Sequence, residues 1–463
     1  GADANPHTYE LMEQTADHFH WDQGEVWSDI RKIGVSPTTD KAGGGHAHSG
    51  LMIYLGDNWP AEYRNDVFTI NLHGKRINRD KLVRKGAGYT ATHGEDFLKS
   101  SDPYFRAVDL TYGPDGGVYV MDWSDIGECH ENDGVHRTSG RIYKITYGET
   151  KKTQPFDMSA EDDKMLIKHL ASTNAWSARI AQRVLQERAS AGKLSAPLSD
   201  KTLGLKTSKA FGLMEPTPGS ELTVLRYIWA QYVTGYLTEE KLLERLRCSL
   251  TSDYFRVWHI RLLADREIDS QSGIEILEQL AADKDPGISL LYLASALQRI
   301  PVTQRWKIAY ALAEHDEFAG DSQLALLIWY GIEPSITRDL EEGTPGTPLI
   351  DQTKMHTLRR LIARRITEEL ERKPDAVNEL IVQLGFGGEQ YELDILEGMS
   401  QALRGWRKAK APGEWGEVSK ALTETGSAKV KDAVRKLGVV FGEGRAIEEV
   451  KQLVTNEGAD AAI

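Results

Sequence analysis

The rhythm of apolar positions changes once along this chain. From Gly43 to about Tyr147 apolar side chains come in short runs or in alternation. From Pro155 onward they recur every three or four residues. The first rhythm is that of strands, whose side chains alternate faces, and the second that of helices with one buried stripe. Gly50–Gly56 reads as a buried strand closed by the turn Asp57-Asn58-Trp59-Pro60. Val67–Leu72 alternates and is β-branched. Gly74-Lys75 turns the chain into Arg76–Arg79, and Tyr89–Thr92 suits an outer strand. Ala107–Thr111 and Val118–Trp123 flank Gly113-Pro114-Asp115-Gly116-Gly117, a strong hairpin signal. Arg141–Tyr147 closes the series. Short antiparallel strands at this spacing predict a sandwich, a barrel or a propeller.

Beyond Pro155, the faces Leu222/Leu225/Ile228/Trp229/Tyr232, Leu242/Leu243/Leu246/Leu250 and Ile274/Leu277/Leu280/Ala281 follow one another without an intervening strand. Leu290–Ile300, Leu324–Ile328 and Leu358–Ile366 continue the pattern. Antiparallel helix pairs with a shared core describe a HEAT-type α-solenoid; low repeat identity leaves an irregular helical domain as the alternative. The expected architecture is therefore multidomain, β then α. Residues 1–40 form an irregular lead-in in which Tyr9–Trp27 suits a short helix and a loop. Residues 41–150 form the β part and 151–463 the helical repeats.

Composition narrows the function classes. The net charge of −13 over 463 residues argues against a nucleic-acid partner, which needs clustered Lys and Arg. No apolar run reaches the length of a membrane-spanning helix. The two cysteines, Cys129 and Cys248, lie in different parts of the chain and do not suggest a disulfide framework. The sequence opens on Gly-Ala-Asp-Ala-Asn-Pro, without the basic and apolar regions of a signal peptide. It also lacks an initiator Met, which points to a removed leader or an excerpt of a longer protein.

Residues that can carry chemistry concentrate in the β part. Gly43-Gly44-Gly45-His46-Ala47-His48 places two imidazoles at i and i+2, on one face of an extended segment, beside a backbone free to approach a ligand. Such a pair can ligate a metal, act as base and orienter, or bond loop backbone at a sheet edge. Asp122–Arg137 holds five carboxylates, two His and one Cys in sixteen residues. That density suits Ca²⁺, a softer metal at Cys129, His130 and His136, or a solvated acidic loop. His73 follows the second strand. Arg106 precedes a later strand and can clamp a carboxylate or form a surface ion pair.

Taken together, Gly43–Gly50, Tyr54–Pro60, Thr69–Gly74, Gly113–Asp125 and His136–Ile145 resemble the end of a propeller in the large multidomain "membrane-bound dehydrogenase" proteins of planctomycetes and verrucomicrobia. Leu327–Pro334 resembles their helical part. That resemblance implies a partial β-propeller (its last blades) followed by a HEAT-like α-solenoid, with residues 1–40 belonging to a preceding blade. Such proteins join a six-bladed propeller, similar to quinoprotein sugar and sorbosone dehydrogenases, to HEAT-like helices and a cytochrome c domain. By this likeness Arg106, shortly before Pro114-Asp115-Gly116, contacts the carboxylates of pyrroloquinoline quinone. The family has a Lys after the preceding inner strand; here His73 stands there, with Lys75 two residues on. His46, His48 or His73 would be the general base, and Asp122 and Asp125 would hold Ca²⁺. The substrate would be a sugar or polyol, the place the periplasm or cell envelope, and the partner a cytochrome c domain or a protein on the helical repeats.

Six blades need roughly 250–400 residues, far more than the β part provides, and no Cys-x-x-Cys-His haem motif occurs. The chain is therefore expected to be an excerpt with about one and a half blades, inactive in isolation. A non-catalytic platform for glycan or protein is the alternative reading, and a purely structural scaffold a third.

Overall fold

The computed structural model describes residues 43, 47–72, 74–85, 88–125, 138–149, 157–205, 220–248, 252–284, 287–342 and 348–455. The expected lead-in helix at Tyr9–Trp27 lies outside them. The chain divides into two compact units, residues 1–208 with 213–238, and residues 209–212 with 239–463.

The first unit contains every described strand. β1 (His48–Ile53), β2 (Val67–Asn71), β3 (Arg76–Lys85) and β4 (Gly88–His93) pair antiparallel in sequence order, and the short β5 (Leu98–Lys99) joins β3. β6 (Ala107–Tyr112), β7 (Val118–Asp122) and β8 (Arg141–Ile145) make a second antiparallel sheet. On the edge away from β2, β3 is long enough to serve two partners, pairing with β5 at Arg76 and Ile77 and with β4 from Asp80 to Lys85.

One core lies between the sheets, because both send their apolar alternation to it. Met52, Tyr54, Phe68, Ile70 and Ile77 from the first meet Ala107, Leu110, Tyr112, Val118 and Val120 from the second. Trp59 stacks between Tyr54 and Phe97, at 4.5 and 4.3 Å between ring centroids. Close approach of β1 to β6 uses two bulges, at Ser49/Leu51 and Ala107/Asp109. Gly50 sits in the first with φ +54°, and a Cβ there would lie 2.7 Å from Asp109 Cα. Only glycine takes that conformation at that distance without strain.

Helices α1 (Asp163–Leu170), α2 (Ala175–Ser190) and α3 (Ser220–Val233) complete this unit. Asp162 and Asn174 cap the first two through side-chain oxygens. Asn174 also donates to the carbonyls of Gly113 and Pro114, at 3.0 and 3.1 Å, and so ties the start of α2 to the β6–β7 turn.

The second unit is helical: α4 (Glu239–Leu246), α5 (Asp253–Leu263), α6 (Gln271–Ala281), α7 (Ser289–Ala296), α8 (Trp306–Ala313), α9 (Ser322–Glu342), α10 (Pro348–Gln352), α11 (His356–Thr367), α12 (Pro374–Gln383), α13 (Glu389–Ala402), α14 (Trp415–Thr425), α15 (Ala428–Val440) and α16 (Gly444–Thr455). Alternate helices touch. α5, α7, α9, α11, α13 and α15 form one row; α4, α6, α8 and α10 form another, which α12 and α14 resume. α9 runs through Pro334, where a helix loses an N–H and strains its preceding turn. Two hydrogen bonds support the interruption. Buried Arg305 donates to Gly331 O at 2.7 Å, and Ser335 Oγ donates to Val302 O at 2.9 Å. No helix among the described residues is long and apolar enough to cross a membrane.

Candidate functional site

Where β6 and β7 leave their ladder, the chain continues to pair. Trp123 N donates to Arg106 O at 2.9 Å and Asp125 N to Tyr104 O at 3.1 Å. This fixes Tyr104-Phe105-Arg106 against Asp122–Asp125. Asp122 is the pivot. Its Oδ1 accepts from Arg106 N (2.8 Å) and Ser124 N (3.0 Å). Its Oδ2 accepts from Arg141 Nε (2.9 Å) and lies 2.6 Å from Arg141 Nη2. The Asp122 side chain is fully buried.

Arg141 reaches from there to Asp102 Oδ2 at 2.6 Å and lies over the Tyr143 ring, 5.3 Å from its centroid. Asp102 Oδ1 accepts from Tyr104 N at 2.9 Å, and Asp102 N donates to Ser100 Oγ at 3.2 Å. Ser100 N closes the chain on Lys75 O at 2.8 Å. One network therefore joins the β2–β3 turn to the start of β6.

Its electrostatics follow from this wiring. The Tyr104 N–H and then Arg141 hold the Asp102 carboxyl below the usual range. Burial, and then the Arg106 guanidinium, push the Lys75 ammonium below an ordinary lysine, against the opposing pull of Asp102. Lys75 is also one of four described non-glycine residues with positive φ, at +50°, a conformation costing about 1 kcal/mol or more. Arg106 is buried, and its Nη1 donates to the carbonyls of Phe105 (3.0 Å) and Pro103 (3.4 Å). A cleft of about 380 Å³ opens beside the network, lined among others by Ser100, Phe105, Val120, Tyr143 and Lys144.

Of the residues expected from the sequence, Lys75 and Arg106 are thus brought together with Asp122. His48 heads β1, exposed, opposite Asn71. Asn71 Nδ2 donates to Gly43 O at 2.8 Å, and its Oδ1 accepts Gly74 N at 2.8 Å, so this side chain ties Gly43 to the Lys75 turn. His46, His73, Cys129, His130 and His136 lie outside the described residues. No group of three His, Cys, Asp or Glu able to hold a metal occurs among the described residues. Asp122 does not fit a calcium ligand, because Arg141 and two backbone N–H groups already occupy both its oxygens.

Sequence reasoning did not single out Asp102, Arg141 or His93. The signal for Arg141 was available, since it is a basic residue opening a strand directly across from an inward Asp. His93 Nδ1 lies 3.0 Å from Asp80, and its Nε2 lies 3.5 Å from the buried Asp96, which also holds Arg76 at 2.8 Å. A Cβ on Gly43 would meet the His93 ring at 2.6 Å, so Gly43 lies directly against this cluster.

Residues 3–149 match a family model described as a domain of unknown function (DUF7133). The match spans the β part and ends before α1. No curated protein and no solved structure matches the chain.

Proposed function

We propose that this chain carries the last blades of an incomplete β-propeller and a HEAT-like α-solenoid from a quinone-dependent sugar or polyol dehydrogenase of the cell envelope. The strand order β1-β2-β3-β4 is the meander of a blade, and β6-β7-β8 begins a second whose first strand lies against β1. Two rows of alternating helices are what stacked helix pairs produce.

The observation that carries the chemical reading is that Lys75 lies within the electrostatic reach of Arg106, on a network that joins the turn before β3 to the start of β6. Two cations at the ends of different strands, with Lys75 depressed first by burial and then by Arg106, make a place for an anion with more than one carboxylate. Arg106 and Lys75 would hold the carboxylates of pyrroloquinoline quinone, which when bound accepts hydride from a carbinol carbon. His48, with His46 and His73 as the other candidates, takes the hydroxyl proton, since imidazole is poised near neutral pH. Asp102 and Arg141 orient the site through the network above. Electrons would leave to a cytochrome c domain or to a partner on the helical rows.

The test is titration of the quinone into this chain, followed by quenching of tryptophan fluorescence. Arg106→Gln and Lys75→Gln should each weaken binding at least tenfold, about 1.4 kcal/mol. Absence of saturable quenching, or wild-type affinity in both variants, overturns the reading. In the intact parent protein, Arg106→Ala should abolish quinone-dependent dye reduction.

A second reading rests on exposed apolar surface. Trp123, Tyr147 and Ile142 are 63, 66 and 74% exposed. Aromatic faces of this kind suit a non-catalytic platform for glycan or protein. Glycan binding without quinone binding would favour it.

A further inference from the structure

At the far end of β6 from Arg106, about 20 Å away at 3.3 Å per residue, a second group of cations gathers. Tyr112 ends that strand, buried at 3% exposure, and its hydroxyl makes no hydrogen bond of ordinary geometry. The guanidinium of exposed Arg179, on α2, lies over its ring at 5.0 Å from the centroid. Arg226, on α3 and 6% exposed, sends Nη1 to the carbonyls of Leu170 (3.1 Å) and Ser172 (2.6 Å). Arg64 sends Nη1 to the next carbonyl, Thr173 O, at 3.2 Å, and to Gly56 O. Asn174 then ties this same turn to Gly113, one residue beyond Tyr112.

The carbonyl bonds explain part of this arrangement, because cations favour the C-terminal end of a helix such as α1. They do not explain three guanidiniums. Each carries five N–H donors, and the carbonyls engage only Nη1 of Arg64 and of Arg226. The charged groups acting on Arg226 are Arg64, Arg179 and Tyr112. Burial and then Arg64 push it below an ordinary arginine. Burial raises the Tyr112 hydroxyl against the pull of Arg179, Arg64 and Arg226 in that order. No carboxylate pairs with any of the three among the described residues. Asp57, in the segment after β1, faces the same turn, its carboxylate accepting Thr173 Oγ1 at 3.3 Å. Concentrated positive charge, partly buried and short of counter-charge, is costly in a protein unless an anion completes it.

We propose that Arg64, Arg179, Arg226 and the Tyr112 hydroxyl form a binding site for a small tetrahedral oxyanion of the phosphate- or sulfate-ester class. Guanidinium forks match two oxygens of such a group at once, and the phenolic O–H supplies a further donor. Exposed Arg179 is the entry side, and buried Arg226 is the floor. This site is independent of the quinone reading, since it shares no residue with the Lys75–Arg106 network.

Calorimetric titration of inorganic phosphate and of sulfate into the chain, at ionic strength fixed with chloride, tests it. Wild type should bind one equivalent saturably. Arg179→Gln should bind at least fivefold more weakly. Arg183→Gln, on the same helix and paired with Glu187 at 3.0 Å, should bind as wild type does. Tyr112→Phe should weaken binding by a smaller factor with the fold retained. Tighter phosphate binding points to a phosphomonoester and tighter sulfate binding to a sulfate ester. No saturable binding to wild type, or the same affinity in Arg179→Gln and Arg183→Gln, overturns the site.

Discussion

Lys75 concentrates several unusual features in one side chain: a left-handed backbone, partial burial and a neighbouring guanidinium. Its depressed pKa has a definite consequence. The unfolded chain keeps this proton to roughly pH 10.4, whereas the folded protein releases it earlier. Between those two values the unfolded state binds more protons, so stability rises with pH across that window. Affinity for the proposed carboxylate ligand should fall over the same window, because the ammonium is lost. Lys75→Arg keeps the charge and should flatten both profiles, which urea unfolding and ligand titration from pH 7 to 10 would show; unchanged slopes would remove Lys75 from the site. Asp122 is the opposite kind of residue, a buried carboxylate with every oxygen engaged. Asp122→Ala strands Arg141 and the N–H groups of Arg106 and Ser124. It should cost about 3 kcal/mol, at the low end for a broken buried pair because Arg141 is a third exposed. Chelators should leave the wild-type melting temperature unchanged, since the stabilising cation at Asp122 is an arginine.

At the scale of elements, the β6–β7 hairpin shows how a turn can organise a core. Gly116 takes φ +74°, and a Cβ there would lie 2.5 Å from Asn58 N and 2.6 Å from Asp57 Oδ1. Its carbonyl accepts Tyr54 Oη at 2.9 Å, while that same hydroxyl accepts Asn58 N and Trp59 N at 3.0 and 2.8 Å. Gly116→Ala should therefore lose more than about 2 kcal/mol, combining a forbidden φ with a backbone clash, measurable as a lower urea midpoint. A loss within about 0.5 kcal/mol, the usual range for a surface change, would mean that the turn does not brace this core. This hairpin was legible in the sequence, because Gly113–Gly117 between two alternating runs allows little else. So were Val67–Asn71 and the helical faces around Leu225, Leu277 and Leu358, where period and burial agree. β5 was not, since two residues, Leu98 and Lys99, carry no period. β3 runs on to Lys85 through Lys81 and Arg84, charged residues that a period-2 reading leaves out, because cross-strand pairing with β4 decides its length. Tyr54 and Leu55 read as strand but leave it, since the Tyr54 hydroxyl is spent on the following turn. The candidate site was half legible: Arg106 and Lys75 stood out by position, whereas Asp102 acquires meaning only through its contact with Arg141, 39 residues on.

For the whole molecule, the division into two compact units makes a thermodynamic claim. A chain of 463 residues that divides into two compact units is not expected to unfold in one step, because two-state behaviour is a property of single domains. Each transition should then answer only to changes in its own core. Asp122→Ala acts inside the sheets. Gly398→Ala acts in the helical unit, where α13 crosses α11 so closely that a Cβ on Gly398 would lie 2.5 Å from Arg360 O and 2.9 Å from Ala363 Cβ. Relief of that overlap requires the helices to part, at a cost of about 1–3 kcal/mol. Scanning calorimetry should resolve two transitions, one lowered by Asp122→Ala alone and the other by Gly398→Ala alone. The double variant should show the two shifts unaltered, since sites without shared partners add. A single transition lowered by either substitution, or a double variant whose losses fail to add, would mean that the sheets and the helical rows fold as one cooperative body.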